Sequence, residues 1–181
     1  LGRDSLTANT EGHSNVAVGQ NTMAANTTGD ANTAVGQAAL DANTTANNNT
    51  AVGKSSLGAN TTGASNTAVG SLSLDANTTA EENTAVGSGV LRNVTTGNSN
   101  HGLGFQTLQA VTTGNCNVGM GRLAGYDVTT GSNNIFIGKD AGRPGSPGGA
   151  ITTASNKIVL GDENITNAHI HVDWTVASDQ R

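Results

Sequence analysis

A strict 17-residue repeat dominates the sequence. The pentapeptide NTAVG, or its variant NVAVG, occurs five times, and each copy begins 17 residues after the one before. The variants NHGLG, NVGMG and NIFIG continue the same spacing without an insertion. The Asn residues that open these copies are Asn15, Asn32, Asn49, Asn66, Asn83, Asn100, Asn117 and Asn134. A fixed period of this length is typical of a solenoid or a fibre.

Each position of the repeat forms a column of equivalent residues. Three residues after the Asn stands an apolar column, which we predict to face the core: Val18, Val35, Val52, Val69, Val86, Leu103, Met120 and Ile137. The residue before it is Ala or Gly in every copy except the one with Phe136. Such small side chains predict a second surface that packs closely against a neighbour. We therefore expect the Ala and Gly column to contact other chains.

The rest of the repeat supplies further signals. A Gly follows the apolar column in every copy, which suits a corner with positive φ. A second apolar column, Met23 to Leu108 in steps of 17, predicts another core anchor. The following NTT or VTT favours a second short strand, and the QAALDA segment favours a helical turn. The repeated Asn could form an amide ladder between stacked coils.

These columns predict an all-β protein, a parallel β-solenoid or β-roll with 17-residue coils. Parallel coils stack at about 4.8 Å, so roughly ten coils make a rod on the order of 45 to 50 Å long. We divide the chain into a repetitive solenoid (1–141), a Gly/Pro loop insertion (142–150), a last coil (151–161) and a C-terminal strand segment (162–181). Scattered disorder is disfavoured, because the apolar positions are phased and the net charge is only −5.

The thin core predicts association. Fixing 17 residues costs roughly 17 kcal/mol of backbone entropy, whereas burying two or three Val or Leu side chains returns about 4 to 9. A homotrimer around a common axis, with intertwined or side-by-side chains, would bury a second surface and narrow this gap. A thicker single-chain solenoid is the structural alternative.

Composition excludes several classes of partner and site. Eight Lys and Arg residues in an acidic chain argue against nucleic acid, which requires clustered positive charge. The sequence contains no stretch of roughly 20 apolar residues, so we expect no membrane insertion. A single Cys excludes an intrachain disulfide framework. The repeat is already under way at Gly2, Leu6 and Asn9, so we expect the chain to be part of a longer repetitive protein.

The C-terminal segment resembles the junction of phage tail fibres with an endosialidase-type intramolecular chaperone. In such junctions a K-I-x-x-G strand leads into W-T-x-x-S-D-x-R; the matching residues are Lys157, Ile158, Gly161, Trp174, Thr175, Ser178, Asp179 and Arg181. The repeats are also similar to the NTAVG arrays of fibre proteins that carry this chaperone. More distantly, they are similar to the head repeats of trimeric autotransporter adhesins.

This resemblance implies a structural and adhesive fibre. It implies a homotrimer in a virion tail fibre or another extracellular appendage, such as a phage-like injection apparatus. The expected partners are a glycan or protein receptor on the host surface and other tail or baseplate proteins. A cell-surface trimeric adhesin is the alternative. The family chaperone often cleaves itself off at a Ser-Asp junction, which maps to Ser178 and Asp179; we expect such cleavage only in a precursor that carries the chaperone.

Few residues suggest chemistry. No catalytic cluster or phosphate loop stands out, so we expect no enzyme within this sequence. His169 and His171 alternate along a predicted strand, and on a threefold axis they would offer six imidazoles to Fe, Zn or Ni, as tail-fibre tips do with iron. Phe105, Tyr126 and Arg143 are candidate receptor contacts. The stacked Thr columns leave an ice-binding β-solenoid as a minor alternative.

Overall fold

Each repeat forms one short strand, and the strands stack into a single parallel sheet. A computed structural model describes residues 2–167. In these residues the strands are β1 (Val16–Val18), β2 (Thr33–Val35), β3 (Thr50–Val52), β4 (Thr67–Val69), β5 (Thr84–Val86), β6 (His101–Leu103), β7 (Val118–Met120), β8 (Ile135–Ile137) and β9 (Ile158–Leu160). Neighbours in sequence are neighbours in the sheet, so equivalent residues lie directly above one another. The predicted parallel β-solenoid with 17-residue coils is confirmed.

The middle residue of each strand, not its last residue, faces the core. Ala34, Ala51, Ala68 and Ala85 are fully buried, whereas Val18 is 45% exposed. Our assignment of the Val column to the core is therefore wrong for its whole length: its members Val18, Val35, Val52, Val69, Val86, Leu103, Met120 and Ile137 all point outward. The Ala and Gly column, which we expected to contact other chains, is buried inside this one. Side chains alternate along a strand, so only one of the two columns can face inward. The other inward columns leave space only for Ala or Gly.

The second apolar column lines the core as predicted. Its members Met23, Leu40, Leu57, Leu74, Leu91 and Leu108 are fully buried. They also have a left-handed backbone; Leu40 has φ 50° and Ala38, two residues earlier, has φ 54°. The helical turn that we predicted at QAALDA is therefore wrong, because a right-handed helix cannot include these φ values.

The NTT segments bend instead of forming the second strand that we predicted. In one coil the N–H groups of Thr27 and Thr28 both donate to the carbonyl of Thr44, at 2.9 and 3.2 Å. Two consecutive donors on one acceptor break the alternation of a β-ladder. The preceding Asn26 points inward and is fully buried. Each coil within residues 2–167 is thus held by one strand and by bends.

The Asn that opens the repeat forms a continuous ladder along the rod. The Oδ1 of Asn49 accepts a bond from the backbone N of Asn66 at 2.9 Å, and the Oδ1 of Asn66 accepts the N of Asn83 at 3.0 Å. The Nδ2 of Asn66 donates to the carbonyl of Ala80 at 2.8 Å. The same pattern runs from Asn15 through Asn32, Asn49, Asn66, Asn83, Asn100 and Asn117 to Asn134. Each buried amide therefore ties its own coil to both neighbours.

A second Asn ladder runs through the first half of the rod. It joins Asn26, Asn43, Asn60 and Asn77 by bonds of 2.7 to 3.2 Å between side chains. The ladder ends where Val94 replaces Asn. Because Val has no donor, the Oδ1 of Asn77 is buried without a partner. From there the column is apolar, with Val94, Val111, Val128 and Ile151 buried.

Exchange of large and small residues keeps the core filled near the C-terminal coils. Phe136 occupies the narrow Ala column and is fully buried. In the two Leu-column positions beside it stand Gly125 and Gly142. A Cβ on Gly125 would lie 2.7 Å from Cδ2 of Phe136, and a Cβ on Gly142 would lie 2.5 Å from its Cδ1. The phenyl ring therefore fills the space that two Leu side chains occupy elsewhere.

The corner Gly column has positive φ, as predicted. We expect Gly53→Ala to destabilise the fold by about 2 to 3 kcal/mol, because φ is +132° and the new Cβ would lie 2.6 Å from the carbonyl of Gly70. Urea unfolding followed by circular dichroism measures this loss. Gly58→Ala is the matched control, since its Cβ would have no contact closer than 3.4 Å. Equal stability of the two variants would show that the corner tolerates a side chain.

Candidate assembly surface and candidate contact residues

The outward side of the β1–β9 sheet is an uncharged apolar surface, which we call the outer face. It carries the first and last residue of each strand, and Leu103, Met120 and Leu160 are 47%, 48% and 45% exposed. Thr alternates with Val from β2 to β5; from β7 to β9 both positions are apolar. Nine strands at about 4.8 Å make this face roughly 38 Å long and about 10 Å wide. Contiguous apolar patches of this size on a monomer commonly mark interaction sites.

A shallow depression interrupts the outer face at β6 and β7. It is lined by Val86, Leu103, Val118 and Met120, with His101 and Thr84 at the same level. His101 is exposed and lies between Thr84 and Val118 in the strand register. Among the eighteen outward side chains of β1–β9 it is the only titratable one. The lining of this depression is mostly apolar.

Phe105 lies just beyond the edge of the outer face. It is 46% exposed and stands two residues after β6. The next two residues of its column, one and two periods later, are the exposed Arg122 and Lys139. An exposed aromatic ring beside cations can contact a ligand, and Phe105 remains a predicted receptor contact.

Tyr126 and Arg143 are brought together because they are one period apart. The guanidinium of Arg143 lies over the Tyr126 ring, 5.1 Å from its centroid. Arg143 also contacts Asp140, with Nη1 3.0 Å from Oδ1, and Asp127, with Nε 3.6 Å from Oδ2. The ring face is thus covered by the cation in this chain. Phe105 belongs to another column of the repeat, that of Arg122 and Lys139, so it is not in register with this pair.

Electrostatics favour the charged form of this cluster. Partial burial acts to raise the pKa of Asp140, but hydrogen bonds and charges from Arg143 and Lys139 hold it below 3.8. The hydrogen bond to Asp140 raises the pKa of Arg143. Hydrogen bonds from the backbone and side chain of Asn164 lower the pKa of Asp162. The Oδ2 of Asp162 also lies 3.7 Å from the Nζ of Lys139. Asp140 and Asp162 therefore keep their negative charge in mild acid. Arg143, which stands at the start of the Gly/Pro loop, is held by Asp140 and Asp127.

The Gly/Pro loop is closed at its base. Ile151 N donates to the carbonyl of Gly142 at 2.9 Å, and Gly142 N donates to the Oγ of Ser146 at 3.0 Å. Pro144 and Pro147 are exposed. After the loop the coil continues, with Ile151 in the column of Val128. The corner residues Gly138 and Gly161 are 23 residues apart instead of 17, so six extra residues are accommodated here without ending the stack of coils.

The Thr columns differ in what their hydroxyls do. The first Thr of each pair bonds within the chain; Thr44 Oγ1, for example, donates to the carbonyl of Thr61 at 3.2 Å. Thr45, the second of its pair, is exposed. One of the two columns is therefore used to hold successive coils together, which leaves a single exposed row for an ice-binding surface.

Several predicted residues lie outside the described range. They are His169, His171, Ser178 and Asp179, which belong to the predicted metal site and the predicted processing junction. Within residues 2–167, no group of three or more His, Cys, Asp or Glu residues is placed to hold a metal ion. The same range contains no helix of the length and apolarity needed to cross a bilayer.

Comparison with protein-family models, with curated proteins and with solved structures gave no match to this chain. Function is therefore inferred from the geometry of the rod and of its outer face.

Sequence reasoning did not identify the outer face. We had assigned the Val column to the core. Thr33 and Val35, however, lie on the same side of the strand, and that side faces outward. The signal was present in Phe136, because a large residue in a column of Ala coincides with Gly in the Leu column. Such compensation means that the two columns share one interior.

Proposed function

We propose that the chain is a rigid structural segment of a homotrimeric, adhesive fibre, in which three copies pack through their outer faces. The observation that carries this proposal is the uncharged outer face, exposed along the whole β1–β9 sheet. A monomer that remained single would expose this apolar surface to water at a cost of roughly 25 cal/mol per Å². Burial between copies removes that cost.

The architecture supports a mechanical role. Nine strands in register, joined by an amide ladder from Asn15 to Asn134, make a stiff rod. In a tail fibre or a phage-like injection apparatus, such a rod would hold receptor-binding surfaces away from the particle. Three copies of each weak contact would bind a host surface with avidity.

We assign contact with a host glycan or protein receptor to the residues that interrupt the repeat. Phe105 supplies an exposed aromatic ring. The Tyr126 and Arg143 pair supports the Gly/Pro loop, which projects beside it. Tail or baseplate proteins would then join the ends of the rod, and the shaft itself would need only to be long and stiff.

A charge on the outer face tests the assembly. We expect Met120→Lys to convert the trimer to a monomer of 18.0 kDa, because three unpaired ammonium groups would be buried at a cost of about 3 kcal/mol or more per chain. Light scattering after size exclusion measures the mass, and circular dichroism checks the fold. Met120 is 48% exposed in the single chain, so the coil itself should tolerate the change.

Thr113→Lys is the matched control, since Thr113 is exposed on another side of the same coil. It should leave the mass of the assembly unchanged. A Met120→Lys chain that still forms the wild-type assembly would show that the outer face is not the contact, and the proposal would be wrong.

A further inference from the structure

We infer that His101 makes the self-association of the outer face sensitive to pH in the range from 5 to 7.5. This inference rests on the proposed function, because it concerns what happens when the outer face is covered by other copies. The residue is the one titratable group on that face. The inference follows from where it lies and from what surrounds it.

The surroundings of His101 on the outer face carry no charge. Strand β5 presents Thr84 and Val86 beside it, and strand β7 presents Val118 and Met120. None of these can neutralise a cation. At the edge of the sheet stands Glu82, whose Oε2 accepts a hydrogen bond from Ser99 Oγ at 3.1 Å. Its side chain precedes β5 by two residues and is not one of the outward side chains of the outer face.

Proton uptake and assembly therefore compete. An imidazole in water gains its proton near pH 6.5. A neutral ring can be covered by apolar side chains at little cost, whereas an imidazolium without a counter-charge strongly opposes burial. In the free chain the His101 side chain is exposed to water. Acid thus favours the separated chains, and neutral pH favours the assembled ones.

The His101 side chain can be replaced without disturbing the fold, so an effect of pH on assembly can be told apart from an effect on folding. The residue at the same place in β2 to β5 is Thr, in Thr33, Thr50, Thr67 and Thr84. His101→Thr therefore restores the local repeat and should fold. The carboxylates of Asp140 and Asp162 have lowered pKa values and keep their charge at pH 5, so they do not produce the same response.

The test measures the mass of the 181-residue chain by light scattering at pH 7.5 and pH 5, with EDTA in all buffers to exclude metal effects. For the wild type we expect an assembly at pH 7.5 and its dissociation at pH 5. The trimer association constant should fall by up to about 1000-fold per pH unit below pH 6.5, since each of three imidazoles contributes up to tenfold. His101→Thr should remain assembled at both values. Circular dichroism checks that each sample is folded.

A second variant assigns the effect to this residue. His13 lies outside the outer face, so the variant H13N leaves His101 in place and should keep the wild-type response. A wild-type assembly that ignores pH, or a His101→Thr chain that dissociates like the wild type, would overturn the inference and leave the proposed function standing. A wild-type chain of 18.0 kDa at pH 7.5 would instead refute the proposed function.

Discussion

Asn66→Asp should destabilise the fold by about 4 kcal/mol at pH 7. The side chain is fully buried, and its Nδ2 donates to the carbonyl of Ala80 at 2.8 Å. A carboxylate there would face that carbonyl without a donor and would bury a charge. Burial would raise the pKa of the new Asp, so its neutral form is favoured in the folded chain. Part of the loss should therefore be recovered as the pH falls toward 4.

Asn98→Asp is the matched control for the inner ladder. Asn98 lies on the outside of the coil, where its Oδ1 accepts a bond from Glu81 N at 2.8 Å. In the equivalent position of another coil, the Oδ1 of Asp30 accepts a bond from the backbone N of His13. A carboxylate is therefore compatible with this position. Urea unfolding at several pH values should show a loss below about 1 kcal/mol for Asn98→Asp. Equal losses at the two sites would mean that the inner amide ladder does not stabilise the rod.

Phe136→Ala should cost about 3 to 5 kcal/mol. The ring is fully buried, and Gly125 and Gly142 on either side provide no atoms to close the cavity. Thermal and urea unfolding measure the loss.

The compensation between columns gives this prediction a sharper form. Gly142→Leu alone should also destabilise, because the new Cβ would approach the Phe136 ring. Combined with Phe136→Ala, it should recover a large part of the stability, since Leu occupies this column in earlier coils with a similar left-handed backbone. A double-mutant cycle measures the coupling. Losses that simply add would show that Phe136 and Gly142 do not share the space.

The period of the repeat accounts for how much of the fold was predictable. Seventeen residues without insertion specify stacked parallel coils, and the invariant corner Gly and the Leu column identify two features of each coil. The Asn column could also be recognised from sequence, because an unvaried polar residue in a stacked position favours amide bonding. The structure shows these bonds coil by coil.

The side on which Ala34 and Val35 point could not be read from their chemistry. A small residue suits either a close neighbour or a narrow interior, and a strand of three residues gives no longer alternation to decide between them. The interior is narrow because the buried side chains of the Leu and Asn columns occupy the rest of it. The left-handed φ values at Leu40 and Ala38 could not be predicted from sequence either, because neither Leu nor Ala favours that conformation.

The candidate site was predicted only in part for the same reason. Once Val35 is placed outside, the outer face follows from the strand register alone. The pairing of Tyr126 with Arg143 follows from their separation by one period. Phe105 lies in another column of the repeat, with Arg122 and Lys139 one and two periods later.

The most direct test of self-assembly through the outer face is the absolute mass of the 181-residue chain at pH 7.5, measured by light scattering during size exclusion. We predict three times the 18.0 kDa of one chain, because the uncharged outer face should be covered by two other copies. A folded species of 18.0 kDa over the whole micromolar concentration range would contradict it.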